Sequence, residues 1–469
     1  MADKNERFNK DDLQKKSEEY IKKGVEAPAV LLDHTISNTQ KIAAVLPEHP
    51  VVKKTTEYWR SLGPGLTTGA SDDDPSGIAT YSQTGAQTGF QLLWLSVLTF
   101  PLMATVQEMC ARIGLVTGRG LAGTIRLHFS RRVLLMCTTL LFAANSFNIG
   151  ADLGAMAQAT QLLRPSLSFG WLVTGFSVLC LGLQIFTPYD RYARYLKWLA
   201  LVLLSYVGAS LLADLNWSTV IKHTFVPTLV WNKDLVVLIC AILGTTISPY
   251  LFFWQTSQEV EEEIAQGKTT VALRKGTDEI TIKKMRVDVW SGMFLSNLVM
   301  FFIIAACGGV LYANGIVNID TASQAANALR PFAGNATYWL FALGIIGTGL
   351  LAIPVLAGSA SYAVAESFRW REGLNRNLKQ AYAFYGILII SMLVGLSINF
   401  MGFNPIKVLI YAAVANGIVA PIILFLIVRM SSSKEIMGRW ANRPSTTMVG
   451  WFVTTLMAVA GVAAIFALF

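Results

Sequence analysis

Long apolar stretches separated by short polar segments run through most of the chain. Eleven of these stretches have roughly the 20 residues that a helix needs to cross the hydrocarbon core of a bilayer. They lie at Leu66–Gln87, Leu92–Gly114, Val133–Leu162, Phe169–Phe186, Tyr195–Ala213, Leu235–Ser257, Val289–Leu311, Tyr338–Ala365, Ala381–Ile398, Pro405–Val428 and Met448–Phe469. The pattern predicts an all-α integral membrane protein with eleven transmembrane helices.

The amino-acid composition agrees with this pattern. Hydrophobic residues make up 53% of the 469 residues and charged residues only 14%, whereas a soluble domain carries about 25% charged residues. Most of the surface is therefore expected to face lipid, which leaves little chain for a soluble catalytic domain. The sequence has no recognisable pairing of nucleophile and base, no catalytic metal cluster and no phosphate-binding loop, so we do not expect an enzyme.

Lysine and arginine are concentrated in the connections after the second, fourth, sixth, eighth and tenth stretches. By the positive-inside rule, this alternation places the N-terminus in the cytoplasm and the C-terminus outside, in a plasma or inner membrane. It also accounts for the net charge of +9 without a nucleic-acid partner, because the basic residues are spread over loops. Residues 1–60 are polar and lack the apolar core of a signal peptide, so we expect a cytoplasmic tail.

Two of the apolar stretches, the first and the sixth, are interrupted by a polar residue that is followed by proline. The pairs are Asp74–Pro75 and Ser248–Pro249. In each pair the polar residue suits the N-cap of a new helix, and the proline suits its first position. The preceding half-helix must end there and leave carbonyls free at membrane depth, which is costly unless the break lines a site.

The positions of the two breaks predict the organisation of the chain. Two sets of five helices, each beginning with an interrupted helix, are typical of inverted-repeat secondary transporters. The expected core is therefore residues 61–430, with repeats at about 61–215 and 233–430. Residues 431–469 would then form a loop and an additional eleventh helix.

Three consecutive carboxylates, Asp72–Asp74, lie at the first break. A carboxylate inside the bilayer costs several kcal/mol and by default marks an ion pathway. Asp74 is the first candidate for a metal ligand because it lies at the break itself. Asp73 is the second candidate, and Asp72 is either a partner or a vestibule charge. The alternative for a single Asp-Pro pair is a helix cap and kink without any ligand role.

At these residues the chain resembles the NRAMP family of divalent metal transporters, and the resemblance extends over nearly all of the hydrophobic part. It rests on Gly63–Gly65 leading to Asp74–Pro75, on Ile78–Thr80, on Gln83 with Gly85 and Ala86, on Ala111–Arg119, and on Asp152 with Leu153. The resemblance implies a LeuT-like fold of two inverted five-helix repeats plus one extra helix, with a cation site between the interrupted helices. By the same register, the backbone carbonyls of Ser71 and Thr245 would face the ion.

The chain departs from the family motifs at several of the implied ligands. Gly77 stands in place of an asparagine, Ser248 in place of a methionine, and Tyr250 and Gln255 in place of two histidines. A thioether suits transition metals, whereas carboxylate, hydroxyl, carbonyl and water oxygens suit Mg²⁺, Ca²⁺ and Mn²⁺. A wider, all-oxygen site fits a hydrated Mg²⁺, which sheds water reluctantly. The chain therefore looks most like the NRAMP-related magnesium transporters, with Mn²⁺ as a second substrate.

Two of these ligand assignments have structural alternatives. Ser248 is equally suited to cap a helix without contacting the ion. Gln255 lies two turns further along the same helical face, where an interhelical hydrogen bond is an equal alternative to ion contact.

Asp152 is the one acid kept from the family's proton path in the third helix. The neighbouring family acids fall on Asn145 and Ala155, and the histidines of the sixth helix are absent. Asp152 is therefore either a proton-path residue or a structural hydrogen-bonding group. We expect transport that is uncoupled or weakly coupled to protons. The membrane potential would drive entry by about 2.3 kcal/mol per charge per 100 mV.

Other functions stay open at this point. One is a proton-coupled transporter of Mn²⁺ or Fe²⁺, and another is a LeuT-like transporter of an amine or amino acid. An ion channel is less expected, because a channel usually repeats its filter around an oligomeric pore. The expected partners are the divalent cation and the lipid bilayer, without nucleic acid. No cofactor is expected beyond the transported Mg²⁺ or Mn²⁺, and a monomer is compatible with the pattern.

Overall fold

The computed structural model describes Tyr58 and residues 62–187, 189–213, 215–317, 319, 322–402 and 405–468. The rest of the expected tail, residues 1–57, 59 and 60, lies outside the described residues. The compact unit of residues 61–469 is built from helices, and the described part of it contains no strand. This agrees with the predicted all-α class.

Eighteen α-helices follow one another along the described chain. They are α1 (Pro64–Asp72), α2 (Pro75–Thr88), α3 (Trp94–Thr117), α4 (Leu121–His128), α5 (Arg131–Leu163), α6 (Phe169–Phe186), α7 (Tyr189–Leu199), α8 (Leu204–Leu212), α9 (Trp217–Phe225), α10 (Lys233–Thr246), α11 (Pro249–Ala265), α12 (Val271–Arg274), α13 (Glu279–Val310), α14 (Ala322–Phe368), α15 (Tyr382–Ile398), α16 (Pro405–Ser432), α17 (Lys434–Met437) and α18 (Pro444–Leu468).

Seven helical spans of the described chain are long and apolar enough to cross a membrane, or eight if a bent pair at the end of α16 counts as one span. The predicted number of eleven is not confirmed by this measure. The first predicted span is divided into α1 and α2, and α15 has only 17 residues. Helix α3 carries Gln107, Glu108 and Arg112, which lower its hydropathy. The predicted spans that do not meet this criterion of length and hydropathy are thus short, broken or partly polar.

Close glycine contacts hold α1 and α2 against α13. A Cβ atom on Gly65 would lie 2.5 Å from the backbone nitrogen of Val289, and one on Gly85 would lie 2.6 Å from the carbonyl oxygen of Ile304. A Cβ atom on Gly69 would overlap the backbone of Gly292. Small residues let helix backbones approach closely within a membrane. Helix α13 therefore fixes the level at which the chain breaks between α1 and α2.

The start of α1 is capped by a residue from α13. The backbone N–H groups of Gly63 and Gly65 each donate to a carboxylate oxygen of Asp288 at 2.7 Å, and Leu66 N–H donates at 3.0 Å. The residue before α1 is Gly63 and supplies no side-chain cap of its own. A charged acceptor at a helix N-terminus satisfies free N–H groups and is favoured by the helix dipole.

Helices α5 and α14 pack against each other beside α2. The side-chain amide of Asn145 in α5 donates to the carbonyl oxygen of Leu356 in α14 at 2.9 Å. A Cβ atom on Gly349 of α14 would lie 3.3 Å from Pro75 at the start of α2 and would overlap Met156 of α5. The three helices therefore meet at the level of the first break.

The connections rich in lysine and arginine meet at one end of the bundle. Arg274 of α12 donates to the carbonyl oxygen of Gly118 at 3.2 Å, and Gly123 N–H of α4 donates to Glu366 of α14 at 2.9 Å. Arg112 of α3 donates to Asn442, which precedes α18. The connections after the second, sixth, eighth and tenth stretches therefore lie on the same side of the fold.

Candidate metal site at two helix breaks

The first break is formed by three aspartates between α1 and α2. Helix α1 ends at Asp72, and Asp73 leaves the helical conformation with φ −84° and ψ 54°. Asp74 is the N-cap of α2, as expected, and its Oδ1 accepts hydrogen bonds from Gly77 N–H and from Ser76 Oγ, both at 2.7 Å. One oxygen of Asp74 therefore caps α2, and these hydrogen bonds hold the carboxylate at the break.

The second break lies between α10 and α11 and uses Ser248 in a different way. Ser248 occupies the N-cap position of α11, but its hydroxyl makes no cap to that helix. Instead, the hydroxyl lies 2.8 Å from the carbonyl oxygen of Gly244 and 2.7 Å from that of Thr245. It thus donates back to carbonyls that the break leaves free. The expected capping of α11 by this hydroxyl is wrong, because the carbonyls of α10 lie closer.

The two breaks face each other in the fold. A Cβ atom on Gly77 of α2 would lie 3.1 Å from Thr245 Oγ1 of α10. The hydroxyl of Tyr250, in the first turn of α11, donates to the carbonyl oxygen of Ser71 at 2.8 Å. Together with Asp74 and Ser248, these residues form one buried group of carboxylate, hydroxyl and carbonyl oxygens, which we call the break site. Tyr250 joins it as a hydrogen-bond donor.

The other two aspartates of the first break are directed toward α13. Ser296 Oγ lies 2.7 Å from Asp72 Oδ2 and 3.5 Å from Asp73 Oδ1. Asp72 Oδ1 and Asp73 Oδ2 are buried and have no hydrogen-bond partner. Sequence reasoning missed Ser296, whose only signal is a hydroxyl within an apolar stretch.

The three carboxylates do not converge on one point. Within the described residues, no group of three or more His, Cys, Asp or Glu side chains is arranged to hold a metal ion. A cation at the break site would therefore be held by few carboxylates and completed by neutral oxygens and water. This arrangement differs from a closed cage of protein ligands.

Gln255 and Asp152 occupy separate positions around the break site. Gln255 is fully buried in α11 and donates to Glu259 of the same helix at 2.8 Å, while its Oε1 has no partner. This hydrogen bond lies within α11, so Gln255 does not make the hydrogen bond to another helix that the sequence left open. Asp152 is fully buried in α5, which packs against α2, and both of its oxygens lack a hydrogen-bond partner.

A sulfur atom lies beside the second break, which the sequence did not indicate. Thr246 Oγ1 is 3.9 Å from Met300 Sδ of α13 and 3.3 Å from the hydroxyl of Tyr81. Thr246 follows Thr245 directly, so this thioether contacts α10 one residue away from the break site. The chain's histidines do not lie in the helices of either break.

The buried carboxylates at and around the break site have no cationic partner in the part of the protein that the structure describes. The four carboxylates Asp72, Asp73, Asp74 and Asp152 are buried, with 0% to 1% of each residue exposed. None of the ion pairs found in the described part of the chain includes any of them. Burying an unpaired charge is strongly unfavourable. A bound cation would stabilise the ionised form of these carboxylates.

Comparison with known proteins agrees with this arrangement. The family model described as natural resistance-associated macrophage protein-like (Nramp) matches residues 65–467. The divalent metal cation transporter MntH of Verminephrobacter eiseniae is 26% identical over 390 residues, which are 81% of this chain and 83% of that protein. MntH of Caldanaerobacter subterraneus is 24% identical over 410 residues, 86% of this chain and 92% of that protein.

Solved structures share the fold. The manganese transporter of Eremococcus coleocola superposes with a TM-score of 0.68 at 18% identity, over 89% of this chain and 88% of that one. A nucleobase-cation-symport-1 family transporter in a closed conformation gives a TM-score of 0.55 at 15% identity, over 86% of this chain and 90% of that one.

Proposed function

The chain belongs to the Nramp family, whose members are transporters and not enzymes, and on this premise we propose that it moves divalent metal cations across a membrane. We propose Mg²⁺ as the main substrate and Mn²⁺ as a second one. The observation that carries the proposal is the buried carboxylate of Asp74, which has no cationic partner, at the point where α2 and α10 meet. A transported cation would balance the charge of the ionised carboxylate and then leave, which a permanent protein counter-charge would prevent.

The preference for Mg²⁺ rests on the types of oxygen at the break site. One carboxylate, from Asp74, is accompanied by hydroxyl and carbonyl oxygens of Ser71, Thr245 and Ser248. Such a sparse set suits an ion that keeps several of its own waters. Gly77 leaves space beside these oxygens because it has no side chain. The other proposed ligands are Asp73, which lies nearest to Asp74 in the chain, and Gln255 through its unpartnered oxygen.

Met300 is the main reason to consider a transition-metal substrate. Its sulfur already lies next to the hydroxyl of Thr246. We propose that it packs against α10 and does not bind the transported ion. A Met300→Leu variant should then keep the ratio of Mg²⁺ to Mn²⁺ uptake, whereas a thioether ligand would make that ratio rise in the variant.

Weak coupling to protons is part of the same proposal. The side-chain amide of Asn145 is committed to a carbonyl of α14, and an amide cannot pass a proton as a carboxylate does. Asp152 would then stand alone as a titratable group in this part of α5. The alternatives are proton-coupled transport of Mn²⁺ or Fe²⁺ and transport of an amine or amino acid.

The finer topology is proposed from the sequence pattern. It comprises eleven spans, with five-helix repeats at about 61–215 and 233–430, and an N-terminus in the cytoplasm with the C-terminus outside. The contacts between basic loops at one end of the bundle support this orientation. A monomer would suffice, because the break site is formed within one chain.

The test is uptake of Mg²⁺ and of Mn²⁺ into proteoliposomes, with internal pH recorded at the same time. Asp74→Asn keeps an oxygen for the N-cap but removes the charge, so we expect uptake to fall at least 100-fold with little loss of folded protein. The matched control is Asp278→Asn, because Asp278 caps α13 in the same way through Thr281 N–H at 2.8 Å. It should keep normal uptake.

Each outcome separates one part of the proposal from the others. Uptake that disappears in Asp74→Asn without any pH change supports uncoupled transport through the break site. One proton moved per ion would show that the coupling proposal is wrong while leaving the site in place. No uptake of any divalent ion by folded wild-type protein would favour an amine substrate.

A further inference from the structure

A polar cavity lies at the end of the bundle where the basic loops meet. It has a volume of about 220 Å³ and is enclosed by the α3–α4 connection, α4, α11, α12, the end of α14 and the segment that follows α14. The charged side chains that line it are Arg119, Arg126, Arg274, Arg369, Glu366 and Glu372. Four arginines thus face two glutamates. We call this space the arginine cavity.

One of the two glutamates is already committed within the fold. Glu366 accepts a hydrogen bond from Gly123 N–H at 2.9 Å and packs against Gly120, so it caps the start of α4. None of the four arginines forms an ion pair with a carboxylate in the part of the chain that the structure describes. Among the side chains that line it, the arginine cavity therefore has two more positive than negative groups, while Glu261 and Glu263 lie near Arg274 outside the lining.

Two of the arginines are held in place by backbone carbonyls. Arg274 donates to Gly118 at 3.2 Å and to Lys268 at 3.0 Å, and Arg126 donates to the carbonyl oxygen of Glu366. The Nε atom of Arg126 is buried without a partner. A guanidinium has five N–H donors, so each of these fixed groups has donors left for a ligand.

The backbone conformation at Arg369 is a separate indication. Its φ is +60°, and it is the one described residue other than glycine with a positive φ. Trp370 N–H bonds to the carbonyl oxygen of Ala365 at 2.9 Å and Arg369 N–H to that of Glu366 at 3.3 Å, which is the Schellman pattern at the end of α14. Glycine is usual at such a position because a side chain is disfavoured there. The presence of arginine at this unfavourable position points to a functional role for its guanidinium group.

We propose that the arginine cavity binds a phosphate group. Planar guanidinium groups bind phosphate through paired hydrogen bonds, and an excess of two positive charges matches a phosphate dianion. The volume leaves room for a second phosphate or for the glycerol part of a lipid head group. The phosphate comes either from a soluble anion or from an anionic phospholipid. This site is separate from the break site and does not depend on what the chain transports.

The experiment measures the thermal midpoint of the full-length protein in detergent, in buffer free of divalent metals. Pyrophosphate is titrated at constant ionic strength, with sodium chloride as the replaced salt. In a second series, phosphatidylglycerol is added to the micelles and phosphatidylcholine serves as the neutral lipid. A ligand that binds the folded state raises the midpoint with its concentration. We expect a rise with pyrophosphate or with phosphatidylglycerol, but not with chloride or phosphatidylcholine.

Variants of the cavity make the test specific. Arg119→Gln and Arg369→Gly should each weaken binding at least tenfold. Arg369→Gly should also raise the midpoint without ligand, because glycine relieves the positive φ, so weaker binding cannot be attributed to loss of fold. Arg371→Gln removes an exposed neighbouring charge that does not line the cavity and should bind as the wild type does.

The result assigns the source of the phosphate or rejects the site. A rise with pyrophosphate identifies a soluble ligand, and a rise with phosphatidylglycerol alone identifies a lipid head group. The proposal is overturned if neither raises the wild-type midpoint. It is also overturned if Arg119→Gln and Arg369→Gly respond to the same concentrations as the wild type, because the effect would then be a general ionic one.

Discussion

Gly77→Ala adds one methyl group at the point where the two helix breaks face each other. The new Cβ atom would lie 3.1 Å from Thr245 Oγ1, 3.3 Å from the carbonyl oxygen of Asp72 and 3.5 Å from Asp74 Oδ1. These are oxygens of the break site or its immediate neighbours. The substitution therefore narrows the space that a hydrated ion would occupy, without removing any ligand.

The expected size of the effect follows from these distances. A water molecule takes about 30 Å³ in the liquid, so a methyl group displaces roughly one water. Mg²⁺ gives up water reluctantly, and larger ions such as Mn²⁺ do so more easily. We expect kcat/KM for Mg²⁺ to fall about tenfold, equivalent to about 1.4 kcal/mol, and kcat/KM for Mn²⁺ to change less than threefold.

Stability should fall only modestly in this variant. Alanine gains up to about 1 kcal/mol over glycine within a helix. The two closest contacts require neighbouring atoms to move by a few tenths of an ångström, and overpacking of this kind costs about 1–3 kcal/mol. The gain offsets part of the cost and leaves a net loss of about 0–2 kcal/mol, so folded protein should remain available for the transport measurement.

The assay compares initial rates of Mg²⁺ and Mn²⁺ uptake into proteoliposomes over a range of concentrations. Gly386→Ala is the matched control, because a Cβ atom on this residue of α15 meets nothing within 4 Å. It should leave both rates unchanged. Equal loss of Mg²⁺ and Mn²⁺ uptake in Gly77→Ala, or no loss of either, would refute the reasoning that a hydrated ion passes Gly77.

Two further predictions concern the surroundings of the break site. Tyr250→Phe removes the hydrogen bond that holds the carbonyl of Ser71 in position. KM for Mg²⁺ should therefore rise about three- to tenfold while kcat stays within twofold. An unchanged KM would show that this hydrogen bond does not position an ion ligand. Gly69→Ala should prevent recovery of folded protein on size-exclusion chromatography, because its Cβ atom would overlap the backbone of Gly292, whereas Gly175→Ala in open space should be recovered normally.

Local sequence rules were sufficient for the helix breaks. Asp74 and Ser248 each precede a proline, and a new helix begins at that proline in both cases. Proline lacks the N–H group that a continuous helix needs, yet Pro101, Pro354 and Pro421 lie inside helices. The polar residue directly before Pro75 and Pro249, which suits an N-cap, is what distinguishes the two breaks. The same residues carried the resemblance to the NRAMP family, which the family model confirms.

Contacts between residues distant in the chain could not be read from such rules. Asp288 caps α1 although about 220 residues separate them, and Ser296 bonds to Asp72 across a similar separation. The sequence did not identify either residue as a partner of α1, because each is a single polar side chain in α13 that belongs to no motif. The sequence also did not predict that the Ser248 hydroxyl donates to carbonyl oxygens of α10, because the availability of these carbonyls depends on how α10 ends.

The sequence alone thus determined that the protein is a helical membrane protein of a transporter family, and where its two helices are interrupted. The physical reason is that hydrophobic length, proline and N-cap chemistry act within a few neighbouring residues. Only the tertiary structure decided which oxygens meet. The glycine contacts of α1 and α2 with α13 set the depth of the first break, and the packing of α10 beside Gly77 brings the second break to it.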